Sequence, residues 1–159
     1  MIYFGLGVAA SVVAIDQLSK LAVISVLAPY QGLSVTPFLN LVLVLNTGIT
    51  FGFFASDDSC TRWILIVLAL IISLILLRWL FSAEGRYVGA ALGMIIGGAL
   101  GNVIDRLVHK GVVDFLDFHL YDWHWPAFNV ADSAITIGVA LFVLSSLLER
   151  RGRDKRGIE

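Results

Sequence analysis

The sequence has few charged residues, a single cysteine and a net charge of −1, so it lacks the overall positive field that would attract nucleic acid. Charged residues make up 14% of the chain and hydrophobic residues 58%, whereas a soluble domain is usually about 25% charged. Cys60 is the only cysteine, which excludes an intrachain disulfide and leaves the redox compartment undetermined. The composition therefore predicts an integral membrane protein with no nucleic-acid partner.

The N-terminal apolar run also lacks the marks of a cleaved secretory signal. No basic region precedes it, and no small-residue cleavage site follows it. We therefore expect this run to be a retained membrane span.

Four segments are long and apolar enough to cross a membrane, for which a helix needs roughly 20 mainly apolar residues. They are residues 2–27, 63–81, 88–107 and 128–148, and a basic tail follows at 149–159. No internal repeat or low-complexity linker divides the chain. We expect residues 1–159 to form one integral membrane domain.

Residues 38–54 are a candidate fifth span, but polar residues interrupt them. Their first half, 38–46, is rich in Val and Leu, and it places Asn40 and Asn46 on one face at a period of two. This period favours a strand, while the stretch from Asn46 to Gly48 also fits a turn. The expected fold is all-α, with four transmembrane helices and a strand in the first outer connector.

Basic residues predict the orientation of the spans. Five of the eleven Lys and Arg lie in the C-terminal tail, and Arg86 lies in the short connector before the third span. Because positively charged loops stay in the cytoplasm, four spans place both termini inside and both long connectors outside. Aromatic residues in or beside these outer connectors favour the membrane interface; they are Tyr30, Trp63, Tyr121, Trp123 and Trp125.

Polar side chains gather near the outer ends of the predicted spans. Asp16 and Lys20 lie one helical turn apart in the first span, as do Asn102 and Arg106 in the third. Ionisable groups within a membrane are costly and usually functional. The other polar side chains near this level are those of Asn46, Asp105, Asp114, Asp117, Asn129 and Asp132, and Gly48 lies beside Asn46 in the first outer connector.

Several of these side chains also have a purely structural explanation. Asp16 and Lys20 would neutralise one another as an ion pair on one helix face. Asp105 beside Arg106 would form an ordinary interfacial charge pair. Asp132 is a good capping residue for the start of a helix.

The second outer connector contains further acids and all three histidines. Asp117 and Asp122 are expected to be solvated loop acids. His109, His119 and His124 show no HExxH or comparable ligand spacing, so no metal site is expected. The sequence also lacks a Gly-x-Ser-x-Gly elbow for serine catalysis.

Two acids near one membrane surface suit general acid–base catalysis. Carboxyl groups about 3 Å apart cannot both ionise, so they share one proton. One then activates a water molecule and the other protonates the carbonyl, which cleaves a peptide bond without a metal or a covalent intermediate.

Two other classes of protein remain open, a proton-coupled transporter and a non-catalytic lipid-binding or assembly protein. A transporter would need acids spread through the spans or broken inverted repeats, and neither is evident.

The sequence resembles the lipoprotein signal peptidases (signal peptidase II) of bacteria. Five stretches carry the resemblance in the family's order: DQLSK at 16–20, NTGITFG at 46–52, GGALGNVIDR at 97–106, VVDF at 112–115 and FNVADSAI at 128–135. The chain departs from the family at Ile49 and Thr50, where small alanines are common. The resemblance also implies a small β-sheet in the first outer connector, which agrees with the strand predicted there.

The resemblance implies an aspartic endopeptidase, a multi-pass protein of the bacterial cytoplasmic (inner) membrane with its site near the outer leaflet. It would remove the signal peptide from diacylglyceryl-modified prolipoproteins by cutting before the lipid-modified cysteine. Asp114 and Asp132 would be the catalytic pair. The implied substrate-binding residues are Asn102, Arg106, Asn129, Asn46 and Gly48, with Asp16 and Lys20 in support.

The resemblance implies prolipoprotein signal peptides and membrane lipids as partners, with no cofactor and no metal. We expect a monomer, because one four-helix unit is enough for the chemistry. Asp132 would begin a helix, where the dipole favours negative charge; we therefore expect Asp132 to be mainly ionised and Asp114 to carry the shared proton. Trp123 and Trp125 would form a flap over the site.

Overall fold

A computed structural model describes residues 1–28, 32–48 and 59–156, with side chains up to residue 148. Its elements are α1 (Ile2–Val26), β1 (Gly32–Thr36), β2 (Leu39–Asn46), α2 (Ser59–Phe81), α3 (Arg86–Val108), β3 (Val112–Leu120), β4 (Trp123–His124) and α4 (Val130–Arg156). The predictions for Tyr30 and for residues 49–52 fall outside the described residues.

The four predicted spans are confirmed as helices. Within the described ranges, α1, α2, α3 and the Val130–Leu148 part of α4 are long and apolar enough to cross a membrane. The two largest differences in the bounds are that α2 begins at Ser59 rather than at residue 63 and that α4 continues into the basic tail as far as Arg156, while the other helix ends differ by at most two residues. These differences lie at helix ends, where local sequence gives the weakest signal.

The third helix is the centre of the bundle. Its most apolar window is 56% buried, whereas the windows of the other three helices are only 17–22% buried. Glycines allow this close packing: a Cβ on Gly97 would lie 2.6 Å from the backbone oxygen of Ala9 in α1, and one on Gly98 would collide with that of Ala131 in α4. Small residues let membrane helices approach in this way, so α3 lies directly between α1 and α4.

The described strands form one antiparallel sheet in the order β1-β2-β3-β4. The strand predicted for residues 38–46 is confirmed as β2. The prediction that the sheet belongs to the first outer connector was too narrow, because β2 pairs with β3 of the second connector, with Asn40 opposite Asp117. The first half of β3 is buried at successive positions, so it lacks the alternating pattern by which a half-exposed strand is found.

The chain reverses sharply between α3 and β3. Lys110 adopts a left-handed conformation with φ of 64°, and Gly111 follows, where a Cβ would lie 2.9 Å from Leu45 Cγ. Because the reversal is short, β3 starts directly beside the C-terminal end of α3. This geometry brings Asp114 close to the polar residues of the helix.

Candidate active site

Asp114 lies in β3 and is only 2% exposed. Its two carboxyl oxygens accept hydrogen bonds from amide groups, at 2.9 Å from Asn46 Nδ2 and at 2.7 Å from Asn129 Nδ2. Burial raises the pKa of Asp114 to about 7, although the bonds from Asn46 and Asn129 favour the charged form; the negative charge of Asp132 adds to the rise. Near neutral pH, Asp114 is therefore poised to hold or release a proton.

Asp132 lies in the first turn of α4 and is half-buried. Its Oδ1 accepts a hydrogen bond from Asn102 Nδ2 at 2.9 Å, and its Oδ2 accepts one from the backbone N–H of Asn129 at 3.3 Å. The backbone N–H of Asp132 donates in return to Asn129 Oδ1 at 3.0 Å. This reciprocal pair resembles a capping box, so Asp132 does take part in the helix cap, with Asn129 in the N-cap position.

Asn129 connects the two carboxyl groups. It is fully buried; its side chain donates to Asp114 while its backbone donates to Asp132. The Asn129 amide also lies 3.3 Å from Asn102 Oδ1. Two carboxyl groups from different elements thus belong to one hydrogen-bond network.

Asn46 and Gly48 border this network from the connector between α1 and α2. The backbone N–H of Gly48 donates to Asn46 Oδ1 at 3.1 Å, which is the side-chain turn that the sequence suggested for this stretch. Because Gly48 occupies the oxygen, the nitrogen of the Asn46 amide is the end that faces Asp114. The turn thereby fixes the orientation of Asn46.

Arg106 lies one turn beyond Asn102 in α3 and is half-buried. Its Nη1 donates to the backbone oxygen of Asn102 at 3.1 Å. The guanidinium is also close enough to the carboxylates of Asp132 and Asp114 to be attracted by them. Arg106 therefore supplies positive charge beside the two acids.

The ion pair predicted between Asp16 and Lys20 is confirmed, with 2.7 Å between Lys20 Nζ and Asp16 Oδ2. The alternative explanation of Asp105 and Arg106 as a simple interfacial ion pair does not account for Asp105. Asp105 is 1% exposed, and its Oδ2 lies 2.8 Å from Lys20 Nζ instead. A buried carboxylate needs a close counter-charge, and the packing of α1 on α3 supplies Lys20.

Sequence reasoning left Asp105 and Gln17 out of the site. Gln17 Nε2 donates to Asp105 Oδ1 at 2.9 Å although the two residues are 88 positions apart. A local signal existed for Asp105, since it lies three positions after Asn102 and so shares its helix face. No local signal pointed to Gln17, because its partner lies on another helix.

The expectation that Asp117 is a solvated acid was wrong, whereas Asp122 is exposed as expected. Asp117 is 8% exposed and accepts hydrogen bonds from Asn40 Nδ2 at 3.1 Å and from His124 Nδ1 at 2.8 Å. Burial alone would raise the pKa of Asp117, but the bonds from His124 and Asn40 outweigh burial and hold that pKa below its usual range. The sheet buries Asp117 because Asn40 lies opposite it on β2.

A cleft of about 340 Å³ opens beside Asp132 at the start of α4. Its lining residues are Trp125, Pro126, Ala127, Phe128, Asp132, Ser133, Ile135 and Thr136. Trp123 and Trp125 are both exposed, and their rings meet edge to face with centroids 5.9 Å apart. This cleft offers space for an extended chain next to one of the two carboxyl groups.

Comparisons with known proteins agree over most of the chain. The family described as signal peptidase (SPase) II matches residues 8–148. The chain is 48% identical to a lipoprotein signal peptidase of Paraburkholderia phymatum, over 92% of this chain and 89% of that protein. A lipoprotein signal peptidase of Paraburkholderia phytofirmans is 49% identical, over 92% of this chain and 86% of its own length.

Two solved structures share the fold. Both are described as a bacterial membrane enzyme structure by the in meso method, one at 2.3 Å and one at 1.9 Å resolution. Their TM-scores are 0.80 and 0.77, each at 30% identity. The match covers 92% of this chain and 88% of the first structure, and 90% of this chain and 92% of the second.

Proposed function

The chain belongs to the signal peptidase II family, and we propose that it works as an aspartic endopeptidase with Asp114 and Asp132 as its catalytic pair. Family membership makes it a multi-pass bacterial membrane protease that cleaves signal peptides from prolipoproteins. The finer proposal is that its substrates are diacylglyceryl-modified and that it cuts just before the lipid-modified cysteine.

The observation that carries the proposal is the position of Asn129 between the two acids. One asparagine donates to a carboxyl oxygen of Asp114 and to one of Asp132. The remaining oxygen of each acid is held by another amide, Asn46 for Asp114 and Asn102 for Asp132. Such fixed geometry is what paired acid–base catalysis requires.

In the first step, Asp132 acts as the general base and Asp114 acts as the general acid. Asp132 begins ionised at the helix N-terminus, where the dipole favours negative charge, and Asp114 begins protonated because burial raises its pKa to about 7. Asp132 takes a proton from water as the water oxygen attacks the carbonyl carbon. Asp114 gives its proton to the carbonyl oxygen, which yields a neutral tetrahedral diol.

The second step restores the pair. Asp114 takes a proton from one hydroxyl of the diol while Asp132 gives its proton to the peptide nitrogen. The carbon–nitrogen bond breaks, and a carboxylic acid and an amine leave. Asp114 ends protonated and Asp132 ionised, and the pair titrates as a unit throughout.

Neighbouring residues would bind the substrate. The planar guanidinium of Arg106 suits carbonyl or carboxylate oxygens of the substrate. Asn102 would lie beside the bound peptide. Asn46 and Gly48 would form the side of the binding site next to Asp114. Exposed Trp123 and Trp125 would close over the peptide as a flap anchored in the membrane interface.

The proposed setting is the cytoplasmic (inner) membrane, with a monomer whose termini face the cytoplasm and whose site lies near the outer leaflet. This setting follows from the basic tail and from the four spans. It puts the two acids on the side where the sheet of β1 to β4 would rest on the membrane surface.

The decisive experiment measures cleavage of a diacylglyceryl-modified prolipoprotein by purified protein in lipid, with EDTA present. Asp114→Asn and Asp132→Asn should each lower kcat about 10²- to 10⁴-fold, because each removes a proton-transfer group. Asp122→Asn, an exposed acid changed in the same way, is the matched control and should cleave normally. Full activity in either dyad variant, or loss of wild-type activity in EDTA, would overturn the proposal.

A further inference from the structure

A lysine and two carboxylates are buried together between α1 and α3. Asp16, Lys20 and Asp105 are 0%, 2% and 1% exposed. Lys20 Nζ lies 2.7 Å from Asp16 Oδ2 and 2.8 Å from Asp105 Oδ2. One ammonium thus links two carboxylates and two helices, and we call these three side chains the buried bridge.

Each carboxylate of the buried bridge also accepts a backbone N–H from the residue just before a proposed catalytic aspartate. Val113 precedes Asp114 in β3, and its backbone N–H donates to Asp105 Oδ2 at 3.0 Å. Ala131 precedes Asp132 in α4, and its backbone N–H donates to Asp16 Oδ1 at 2.9 Å. The two backbone segments that carry the catalytic pair are therefore tied to the two ends of one ion-pair bridge.

The remaining polar atoms of the bridge have partners of their own. Lys20 Nζ also donates a hydrogen bond to Asn102 Oδ1 at 3.3 Å. Gln17 Nε2 lies 2.9 Å from Asp105 Oδ1 and 3.2 Å from Asp16 Oδ2. A buried charge network that is satisfied in this way has little freedom to shift, because any movement leaves a charge uncompensated.

We infer that the buried bridge is a positioning device that fixes the separation of Asp114 and Asp132 through the backbone beside each. This inference rests on the proposed function. Two carboxyl groups share a proton only at short separation, and a misplacement of about 1 Å can cost about 10²-fold in rate. The members of the bridge act on the reaction through Val113 and Ala131 without touching the peptide.

The test compares full-length wild-type protein in lipid with Lys20→Met, Asp105→Asn and the double variant. The double variant removes one positive and one negative charge, so the net charge of the cluster is unchanged while the bridge is lost. Cleavage of a diacylglyceryl-modified prolipoprotein is measured, and thermal unfolding gives the folded fraction. Asp122→Asn in the exposed turn is again the matched control.

The expected result is a fall in kcat per folded molecule of about 10- to 100-fold in each variant that lacks the bridge. KM should stay within about twofold, since the bridge does not contact the substrate. The double variant should lose no more than either single variant, because residues that act as a unit are not additive.

Several outcomes overturn the inference. They are a wild-type kcat per folded molecule in the double variant, single losses that multiply in the double variant, and a KM increase at unchanged kcat. A charge-balanced double variant that does not fold also overturns it, because the bridge would then serve the fold alone.

Failure of the inference is distinguishable from failure of the proposed function. Normal cleavage by the bridge variants together with inactive Asp114→Asn and Asp132→Asn removes only the positioning role. Cleavage that survives in Asp114→Asn or Asp132→Asn removes the catalytic assignment itself.

Discussion

At the scale of single residues, amide side chains set the chemistry of the two acids. Asn46 and Asn129 both donate to Asp114, and both bonds favour its charged form. Burial nevertheless prevails and raises the pKa of Asp114 to about 7. An amide donates without adding charge, so it orients a carboxyl group while leaving its proton available at neutral pH.

The raised pKa of Asp114 gives a prediction about pH. Asp114 must begin protonated, so kcat should fall as the pH rises through about 7. Asn46→Ala removes a hydrogen bond that lowers the pKa of Asp114, so the fall should move to higher pH. The measurement is kcat against pH for both proteins.

The control for this profile is Asn40→Ala, which removes the corresponding amide from Asp117 and should leave the fall near pH 7 in place. A profile of Asn46→Ala that is unmoved, or moved to lower pH, would show that Asp114 is not the group that titrates. The two variants differ only in which acid loses its amide.

At the scale of elements, the packing of glycine faces decides how close the helices come. Gly93 and Gly97 on α3 meet the backbone of α1, and Gly98 meets that of α4. Lipid is as apolar as the helix surfaces, so close van der Waals contact takes the place of hydrophobic burial as the force between helices. This close packing lets α3 contribute Asn102 to the site while it also touches α1.

Gly97→Ala should therefore loosen α1 from α3. The added Cβ would lie 2.6 Å from Ala9 O and 2.9 Å from Val12 Cβ, and overpacking of this kind costs about 1–3 kcal/mol. Thermal unfolding in detergent should show a lower Tm, with reduced cleavage because the polar residues of α1 move away from α3.

Gly7→Ala is the matched control on the facing helix, because a Cβ there would meet nothing within 4 Å. Alanine is the better helix former by roughly 0.5–1 kcal/mol, so this variant should be unchanged or more stable. Equal Tm values for Gly97→Ala and Gly7→Ala would contradict the packing argument.

At the scale of the whole molecule, many large apolar side chains of the described residues face outward, while a group of polar and charged side chains is buried inside. Large hydrophobic side chains of α2 such as Ile64, Leu74 and Trp79 are more than half exposed, as expected of a surface that contacts lipid. The buried bridge and the two proposed catalytic acids lie among these inner residues, where ion pairs and hydrogen bonds compensate the cost of burial. Lipid would therefore contact the sides of the helix bundle, while the buried polar side chains cluster at one end of it.

The proposed orientation of the whole molecule can be tested by thiol labelling. In a Cys60→Ser background, a cysteine at Asp122 lies in the exposed turn between β3 and β4, and one at Arg153 lies in the basic tail. A membrane-impermeant reagent added to intact spheroplasts should modify the Asp122→Cys variant and not the Arg153→Cys variant, because basic segments stay inside. Lysed spheroplasts are the control, in which both cysteines should react; the reverse pattern in intact spheroplasts would refute the orientation.

The sequence by itself determined the membrane class, the four helices and the strand at β2, because hydropathy and side-chain period are local properties. It also placed Asp16 and Lys20 on one helix face, where one turn of α-helix brings them together. The candidate pair of Asp114 and Asp132 came from the resemblance in motif rather than from any property of their spacing.

Only the tertiary structure decided which polar groups meet. Gln17 and Asp105 are 88 residues apart, Asn40 and Asp117 are 77 apart, and no local pattern predicts either contact. Part of the connector between α3 and α4 became β3 because β2 offers an edge whose backbone groups need partners. Burial, and with it the pKa of Asp114, follows from this pairing, since the dielectric around a carboxyl group depends on every element packed against it.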